Sequence, residues 1–278
     1  MGYPIYYASW FFICNAQLYL LSIRTSSCIF GEFRFKLCDN SGRIFCQTGL
    51  VSGGGQYILV GNDWHIYCFD IDNYFMAKKI QTLNSKDGYN KVAKEYKKLH
   101  SYLFEFEKNK AISMLGNIEN KKVLDAGAGS GRLIKQLVNA QAIVTAMDIS
   151  ENMLKAIRKD VLDNVKIVVG DVEEMPFENN SFDIVISTFV IVHLKDPSIF
   201  FQEAYRILKD GGRLLIGNIN QREPVPILTP DGLVQIDSYY HGQEDVIREL
   251  EQVGFRIERQ EIITENSVWI NQLILASK

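Results

Sequence analysis

The strongest constraint on this chain is a regular alternation of apolar and amphipathic segments that begins at Lys121 and runs to the C-terminus. Each short apolar segment is followed by a stretch whose apolar residues recur at intervals of three and four, which is typical of helices with one buried face. Strands that are apolar on both sides and alternate with helices indicate a parallel sheet that is covered on both faces.

The pattern predicts seven strands, of which the first five alternate with helices. They are Val123–Asp125, Ala142–Met147, Val165–Val169, Phe182–Ser187, Arg213–Asn218, Phe255–Ile263 and Val268–Ala276. The last two are joined by a short turn and must therefore be antiparallel. The expected fold class is α/β, with a Rossmann-like, seven-stranded, mostly parallel sheet, a C-terminal antiparallel hairpin, helices on both faces and a small extra N-terminal segment of β character.

Three helix ends carry capping signals. Ser150 is expected to cap the helix over residues 153–157, because its hydroxyl can accept a bond from a free backbone amide. Gly211–Gly212 is predicted to end the helix over Phe200–Leu208, and Gly254 to end the last helix, since glycine adopts the left-handed cap conformation at little cost.

The first 75 residues have a different composition. All five cysteines lie there, and an odd number cannot pair completely within one chain, which favours free thiols in a reducing cytoplasm. Glycine turns alternate with strand-like runs at Gln56–Val60 and His65–Phe69, which predicts a small β unit. The uncharged residues 1–23 could alternatively anchor the chain in a membrane, but Pro4 and the lack of a basic leading region oppose this.

The predicted organisation has three parts. Residues 1–75 form an extension of unknown role, residues 76–120 a helical cap and residues 121–278 the main domain. Lys- and Glu-rich sequence begins abruptly at Met76, which suggests the hypothesis that Met76 is the functional start. The cap should contain an amphipathic helix, because Val92, Tyr96 and Leu99 recur at helical spacing.

Charge and cysteine spacing exclude several partner classes. The formal net charge is -3, from 30 basic and 33 acidic residues, so binding to nucleic acid through bulk charge is not expected. No cysteine pair has the C-x-x-C spacing of a zinc ribbon, and no metal site is expected. The oligomeric state cannot be inferred from these features.

A glycine loop and two acidic residues mark the ligand end of the predicted sheet. The first strand leads into Asp125-Ala126-Gly127-Ala128-Gly129-Ser130-Gly131, and Asp148 follows the second strand. Ligands of open α/β sheets bind at these carboxyl ends, and a carboxylate at Asp148 can accept both hydroxyls of a ribose. The spacing is G-x-G-x-G, with Arg132 where a dinucleotide fingerprint has glycine, so an adenosine-type ligand other than NAD is favoured.

From about residue 85 onward the chain resembles class I S-adenosylmethionine-dependent methyltransferases, of the small-molecule type related to the ubiquinone/menaquinone-biosynthesis enzymes. The resemblance is carried, in this order, by Val123–Gly131, Met147–Ser150, Gly170–Phe177 with Ser181–Val185, and Glu203–Gly212. It implies S-adenosylmethionine as cofactor and transfer of its methyl group to a small-molecule acceptor. It leaves residues 1–75 unexplained.

The resemblance also implies roles for individual positions. The implied cofactor-binding residues are Asp125, Gly127, Gly129, Gly131, Asp148, Ile149, Met153, Asp171, Val172, Thr188 and Phe189. Among them, Asp125 would face the methionine amino group, Asp148 the ribose hydroxyls and Asp171 the adenine amine. Thr188 and Phe189 would line the cofactor on the substrate side.

The acceptor side is less determined by the sequence. Methyl transfer from a sulfonium is an in-line displacement, which needs a general base only if the nucleophile carries a proton. His193, after the fourth strand, is the candidate base. The candidate acceptor-binding residues are Tyr89, Tyr96, Tyr239, Tyr240 and His241. The Pro- and Gly-containing segment Asn218–Tyr240 is expected to form a loop over the acceptor.

Two other functions stay open at this stage. A nicotinamide-dependent oxidoreductase would also use a glycine loop and an acidic residue such as Asp148, although the glycine spacing and the final hairpin argue against it. A non-catalytic module that binds S-adenosylmethionine or another nucleotide would keep the same fold without methyl transfer.

Overall fold

A computed structural model describes residues 33–38, 44–49, 57–62, 65–70, 80–99, 110–157, 165–265 and 267–278. The chain divides into two compact units, Met1–Lys79 and Ile80–Lys278. The possible membrane anchor within residues 1–23 lies outside the described residues. Among the residues that are described, no helix combines the length and apolar character needed to cross a membrane.

The first unit contains two antiparallel strand pairs. Strand β1 (Phe33–Cys38) pairs with β2 (Ile44–Gly49). Strand β3 (Tyr57–Asn62) pairs with β4 (His65–Asp70), close to the two strands predicted in this region. The β character expected for the N-terminal segment is thus present.

The second unit is built on a seven-stranded sheet. Its strands, in chain order, are β6 (Lys122–Ala126), β7 (Ile143–Asp148), β8 (Val165–Val169), β9 (Phe182–Thr188), β10 (Leu208–Ile219), β13 (Arg256–Glu265) and β14 (Val268–Ser277). Their spatial order is β13-β14-β10-β9-β6-β7-β8. The pairs from β8 to β10 are parallel and those involving β14 are antiparallel, which confirms the predicted fold class.

A smaller sheet forms beside the large one. Strands β11 (Ile227–Thr229) and β12 (Gly232–Ile236) form a hairpin, and β12 pairs in parallel with β5 (Gln81–Leu83). The helices of the unit are α1 (Ser85–Leu99), α2 (Ile134–Asn139), α3 (Glu151–Lys155), α4 (Pro197–Ile207) and α5 (Gln243–Val253), with residues 110–115 also helical. We call α1 together with this three-stranded sheet the cap.

Two apolar clusters hold the helices against opposite faces of the large sheet. Neighbouring residues Val123 and Leu124 of β6 belong to different clusters, because successive side chains of a strand point to opposite faces. One cluster contains Phe200 and Phe201 of α4, both fully buried. The other contains Ile134 of α2. The predicted cover of helices on both faces is therefore present.

The predicted end of helix α4 is wrong. The helix ends at Ile207, not at Gly211–Gly212, because Leu208 adopts an extended conformation with φ -71° and ψ 138° and pairs with Phe182. Gly211 has φ +72°, but it lies within β10, where the register shifts between Leu208 and Arg213. Pairing with β9 thus takes the chain out of the helix before the glycines are reached.

The predicted loop over Asn218–Tyr240 is also only partly right, since it contains the β11–β12 hairpin. The hairpin turn is closed by Thr229, whose hydroxyl donates to the carbonyl of Gly232 at 2.9 Å. Two other capping predictions are confirmed: the Ser150 hydroxyl accepts from the Met153 amide at 3.1 Å, and Gly254 ends α5 with φ +116°.

Candidate active site

A cavity opens where β6, β7 and β9 end, at the carboxyl edge of the large sheet. It is bordered by residues from these strand ends, from the loop after β8, from α1 and α3, and from the turn after β9. Ten of the sequence-predicted cofactor residues border it, namely Asp125, Gly127, Gly129, Asp148, Ile149, Met153, Asp171, Val172, Thr188 and Phe189. Gly131 does not border the cavity, and a Cβ at this position would lie 3.0 Å from Ile157 and 3.3 Å from Ile134.

The floor of the cavity is the loop after β6, and its shape requires glycine. Gly127 and Gly129 have φ of +79° and +54°, a region that side chains rarely adopt. A Cβ on Gly127 would lie 2.2 Å from a methyl carbon of Val190. The amides of Gly127 and Ala128 both donate to the Met147 carbonyl, at 2.8 and 2.9 Å, which ties the loop to the end of β7.

The carboxylate of Asp148 is held rigidly beside this loop. One oxygen accepts from the Gly129 amide and the other from the Ser150 amide, both at 2.8 Å. Burial raises the pKa of Asp148, while these two amide bonds oppose the increase. Each oxygen of an ionised carboxylate can accept a second bond, so Asp148 can still bind a pair of neighbouring hydroxyls.

Opposite charges meet at the other end of the loop. Asp125 is 3% exposed, and its burial raises its pKa to about 7, an increase that Arg132 opposes and Asp148 reinforces. The Arg132 guanidinium donates to the Thr188 hydroxyl and lies 5.0 Å from the ring centre of Phe189. A buried carboxyl and a guanidinium on one cavity wall match the ammonium and carboxylate of a free amino acid.

At the β8 end of the cavity, Asp171 is fixed by its own loop. Its carboxylate accepts from the Glu173 amide at 3.0 Å, and residues 171 and 174 form an isolated antiparallel bridge. Met153 and Val172, 2% and 7% exposed, provide apolar walls nearby. This end combines a hydrogen-bond acceptor with apolar side chains, as a purine base requires.

The wall that the cap helps to form, here called the cap wall, contains three rings, those of Tyr89 and Tyr96 from α1 and that of His193 from the turn after β9. The Tyr89 ring meets the other two edge to face, with ring centres 5.3 Å from Tyr96 and 5.2 Å from His193. The Tyr89 hydroxyl lies 2.7 Å from Nε2 of His193. Nδ1 of His193 lies 2.7 Å from the carbonyl oxygen of Asp237, directly after β12.

Comparison with known proteins identifies the kind of domain that contains this site. Residues 124–216 match the family model described as a methyltransferase domain. Within these residues the chain carries a methyltransferase domain. This confirms the resemblance drawn from the sequence motifs.

Curated relatives and solved structures agree with the family of the methyltransferase domain. The chain is similar to the ubiquinone/menaquinone biosynthesis C-methyltransferase UbiE of Sinorhizobium fredii, with 34% identity over 156 residues, which cover 51% of this chain and 60% of that protein. It is similar to UbiE of Brucella abortus strain S19, with 39% identity over 113 residues, covering 38% and 42%. The chain thus spans less than two thirds of the length of these relatives.

The structural likeness concerns the fold. A methyltransferase from Aquifex aeolicus superposes with a TM-score of 0.53 at 24% identity, covering 66% of this chain and 97% of that chain. A methyltransferase from Mesorhizobium loti gives a TM-score of 0.52 at 17% identity, covering 60% and 95%. Both match nearly whole proteins to a part of this chain.

The remaining predicted residues lie outside the cavity of the methyltransferase domain. Tyr239 and Tyr240 are 36% and 38% exposed, and neither borders the cavity. The Tyr240 ring lies under the Arg222 guanidinium, 4.4 Å from its centre. His241 lies close by in sequence, but its Nε2 atom is bound to the Leu194 carbonyl at 3.0 Å.

Sequence reasoning missed the position of Arg132. It treated this residue only as the departure from a dinucleotide fingerprint, although an arginine beside a ligand-binding loop can bind a carboxylate or phosphate of the ligand. Among the described residues, no cluster of His, Cys, Asp and Glu could hold a metal ion.

Proposed function

We propose that this chain transfers a methyl group from S-adenosylmethionine to a small organic acceptor by in-line displacement. The observation that carries the proposal is the Asp148 carboxylate, which two backbone amides hold at 2.8 Å. It lies beside a loop in which Gly127 leaves no room for a side chain. When bound, S-adenosylmethionine supplies a methyl group on a positively charged sulfur that leaves with the bonding electrons.

The chain's own residues fit each part of this cofactor. We propose that Asp148 accepts the ribose hydroxyls and that Asp171, with Met153 and Val172, takes the adenine. Asp125 and Arg132 take the ammonium and the carboxylate of the methionine part. Burial of these groups excludes water, which strengthens their interactions with the charged end of the ligand.

Two observations support the class of acceptor that we propose. The cap wall of the cavity is aromatic, and its rings pack edge to face within the cavity, which suits a small molecule better than a folded macromolecule. The matched relatives are named for C-methylation in ubiquinone and menaquinone biosynthesis. We therefore propose a hydroxylated aromatic ring as the first acceptor to be tested, with hydroquinone as the probe.

Two proposals about organisation accompany this function. Residues 76–120, which include α1 of the cap, cover the acceptor, and residues 1–75 are an extension that cofactor binding does not need. We further propose a cytoplasmic location, which is supported by the odd number of cysteines. A chain beginning at Met76 that no longer binds cofactor would contradict the second proposal.

The test is calorimetric titration with S-adenosylhomocysteine. Wild type is expected to bind, and Asp148→Ala to lose at least about 100-fold in affinity, because two hydrogen bonds to a charged acceptor contribute about 1.5–3 kcal/mol each. The matched control is Asp210→Ala, whose side chain is 98% exposed and which should bind like wild type. A folded wild type that binds NAD(H) instead, or binds neither, contradicts the proposal.

Methyl transfer is then measured with S-adenosylmethionine labelled in the methyl group. Hydroquinone, a catechol and a small amine serve as acceptors, and labelled product is followed by chromatography. Product that forms with wild type and is lost in Asp148→Ala supports an enzyme. Binding without transfer to any member of a broad panel would favour a non-catalytic module.

A further inference from the structure

Both ring nitrogens of His193 are already in use within the protein. The Asp237 carbonyl can only accept, so Nδ1, 2.7 Å away, must carry the proton. Nε2 of a neutral ring is then the acceptor, and the Tyr89 hydroxyl, also 2.7 Å away, donates to it. In this arrangement His193 has no nitrogen left with which to meet a methyl acceptor.

We propose that Tyr89 and His193 form a proton relay, in which the Tyr89 oxygen receives the acceptor's proton while the Tyr89 hydroxyl proton passes to Nε2 of His193. This inference rests on the proposed methyl transfer and deepens it. Tyr89 is then the residue that touches the acceptor, and His193 is the base behind it.

The proton balance of the relay is complete. The acceptor's O–H or N–H bond breaks. The electron pair left behind forms the new bond to the methyl carbon directly, or passes through the conjugated system of a phenol or enol to the carbon that forms it. One O–H bond of Tyr89 breaks as another forms, and His193 gains one N–H bond and becomes an imidazolium. The sulfur retains the electrons of the broken carbon–sulfur bond, and the imidazolium later returns its proton to water.

The surroundings of the pair suit these roles. Burial lowers the pKa of His193, which keeps the ring neutral before reaction, while the carbonyl and charge of Asp237 favour the imidazolium that forms. Burial raises the pKa of Tyr89, and Tyr96 and Asp148 raise it further. Tyr89 therefore stays protonated by itself and needs His193 to accept its proton. Tyr96 faces the pair from α1, Asp148 from the end of β7 and Asp237 from directly after β12.

The relay restricts the acceptor. A base is useful only for a nucleophile that carries a proton at neutral pH, such as a phenol, an enol or an ammonium group. Thioethers and tertiary amines, which have a free electron pair, do not need it. The two side chains and the carbonyl come from α1, from the turn at Ile191–His193 and from the end of β12, so the relay is complete only when the cap is docked.

The first experiment needs no acceptor. In protein with 15N-labelled histidine and saturating S-adenosylhomocysteine, the His193 resonance should show a neutral ring with its proton on Nδ1 at pH 7. In Tyr89→Phe, a bond that favours the neutral ring is lost, so the pKa of His193 should rise. A proton on Nε2 in wild type would overturn the relay, because that nitrogen could not then accept from Tyr89.

The second experiment compares two acceptors of different acidity. Hydroquinone, whose pKa is near that of tyrosine at about 10, is compared with nitrohydroquinone, which is ionised at the assay pH. Tyr89→Phe and His193→Gln should each lower kcat with hydroquinone by about 10²–10⁴. With the ionised acceptor they should lower it at most a few fold. The matched control is Tyr205→Phe, which should not change either rate. The ring centre of Tyr205 lies 5.1 Å from that of Phe255, on the face of the sheet that α4 covers.

The possible outcomes separate the relay from the proposed function. Full turnover by Tyr89→Phe with hydroquinone, combined with loss in His193→Gln, means that His193 acts directly and overturns the relay. Equal losses with both acceptors mean that the pair only shapes the cavity, which also overturns it. Failure of wild type to bind S-adenosylhomocysteine instead contradicts the methyltransferase proposal itself.

Discussion

The floor and the cap wall of the cavity are built in different ways. The floor comes from consecutive strand ends between Asp125 and Val172, and backbone amides hold its loop and the carboxylates of Asp148 and Asp171. The cap wall comes from three distant segments, and its central contacts join Tyr89, His193 and Asp237. The floor is therefore held by contacts between neighbouring strand ends, whereas the wall depends on contacts between the cap and the turn after β9.

The attachment of the cap is largely polar. Asn90 on α1 accepts from the Ser150 hydroxyl at 2.8 Å and from the Asn152 amide at 3.1 Å, and its own carbonyl accepts from the Asn152 side chain at 3.0 Å. Among the side chains that the structure describes, the apolar cluster of the cap contains four buried residues, among them Val92 and Val234. We infer that cofactor binding depends on the rigid floor and that turnover depends on the docking of the cap.

The largest expected effect tests the floor. Gly127→Ala would place a Cβ 2.2 Å from Val190 at a φ of +79°, so the loop must move. We expect at least a 100-fold loss of affinity for S-adenosylhomocysteine by calorimetry. The control is Gly211→Ala, which has φ +72° with no atom within 4 Å of the new Cβ. It should lose about 1–2 kcal/mol of stability and keep its affinity. Equal affinity losses in both variants would contradict a rigid floor.

The second prediction concerns the charge of the floor. The pKa of Asp125 is raised to about 7, so below this pH the free protein holds a neutral carboxyl there. A ligand ammonium prefers the carboxylate, and affinity should therefore rise by up to about tenfold per pH unit as the pH increases towards 7, then level off. Calorimetry with S-adenosylhomocysteine between pH 5.5 and 8 measures this profile. Asp125→Asn should bind more weakly and show a flat profile, and a flat profile in wild type would contradict the prediction.

The same contrast explains what could be predicted from the sequence. The strands and the floor follow from contiguous segments, because the glycine loop, Asp148 and Asp171 each come directly after a strand whose apolar pattern is evident. The end of α4 and the β11–β12 hairpin were not predicted, because both depend on pairing with distant strands. Leu208 pairs with Phe182 of β9 and therefore lies in a strand instead of the helix, and Gln81–Leu83 supplies the third strand of the cap.

The relay could not be predicted from the sequence, for a related reason. His193 and Tyr89 were identified as separate candidates, one as a base and one as part of the acceptor site. Their hydrogen bond joins residues 104 positions apart, and Asp237 adds a backbone carbonyl that no side-chain pattern can reveal. Tyr239 and Tyr240 were predicted to bind the acceptor because they lie in the segment after the fifth strand, yet neither residue borders the cavity.

The third prediction addresses the attachment of the cap. Asn90→Ala removes the amide that binds Ser150 and Asn152, one residue from Tyr89, and leaves the floor intact. We expect kcat to fall about fivefold while the affinity for S-adenosylhomocysteine stays within threefold. Steady-state methyl transfer and calorimetry measure the two effects. A loss of affinity as large as the loss of kcat would show that the cap and the floor are not independent.

The smallest effect concerns stability within the cap. Val234→Ala removes two buried methyl groups from the cap core and should cost about 1–2 kcal/mol. Because the cap core is small and separate, we expect faster hydrogen exchange at the β12 amides with little change in Tm. The matched control is Val144→Ala in β7, 2% exposed, which should lower Tm because it weakens the main sheet. If both variants lower Tm equally, the cap and the sheet unfold as one unit, and the cap wall is then as permanent as the floor.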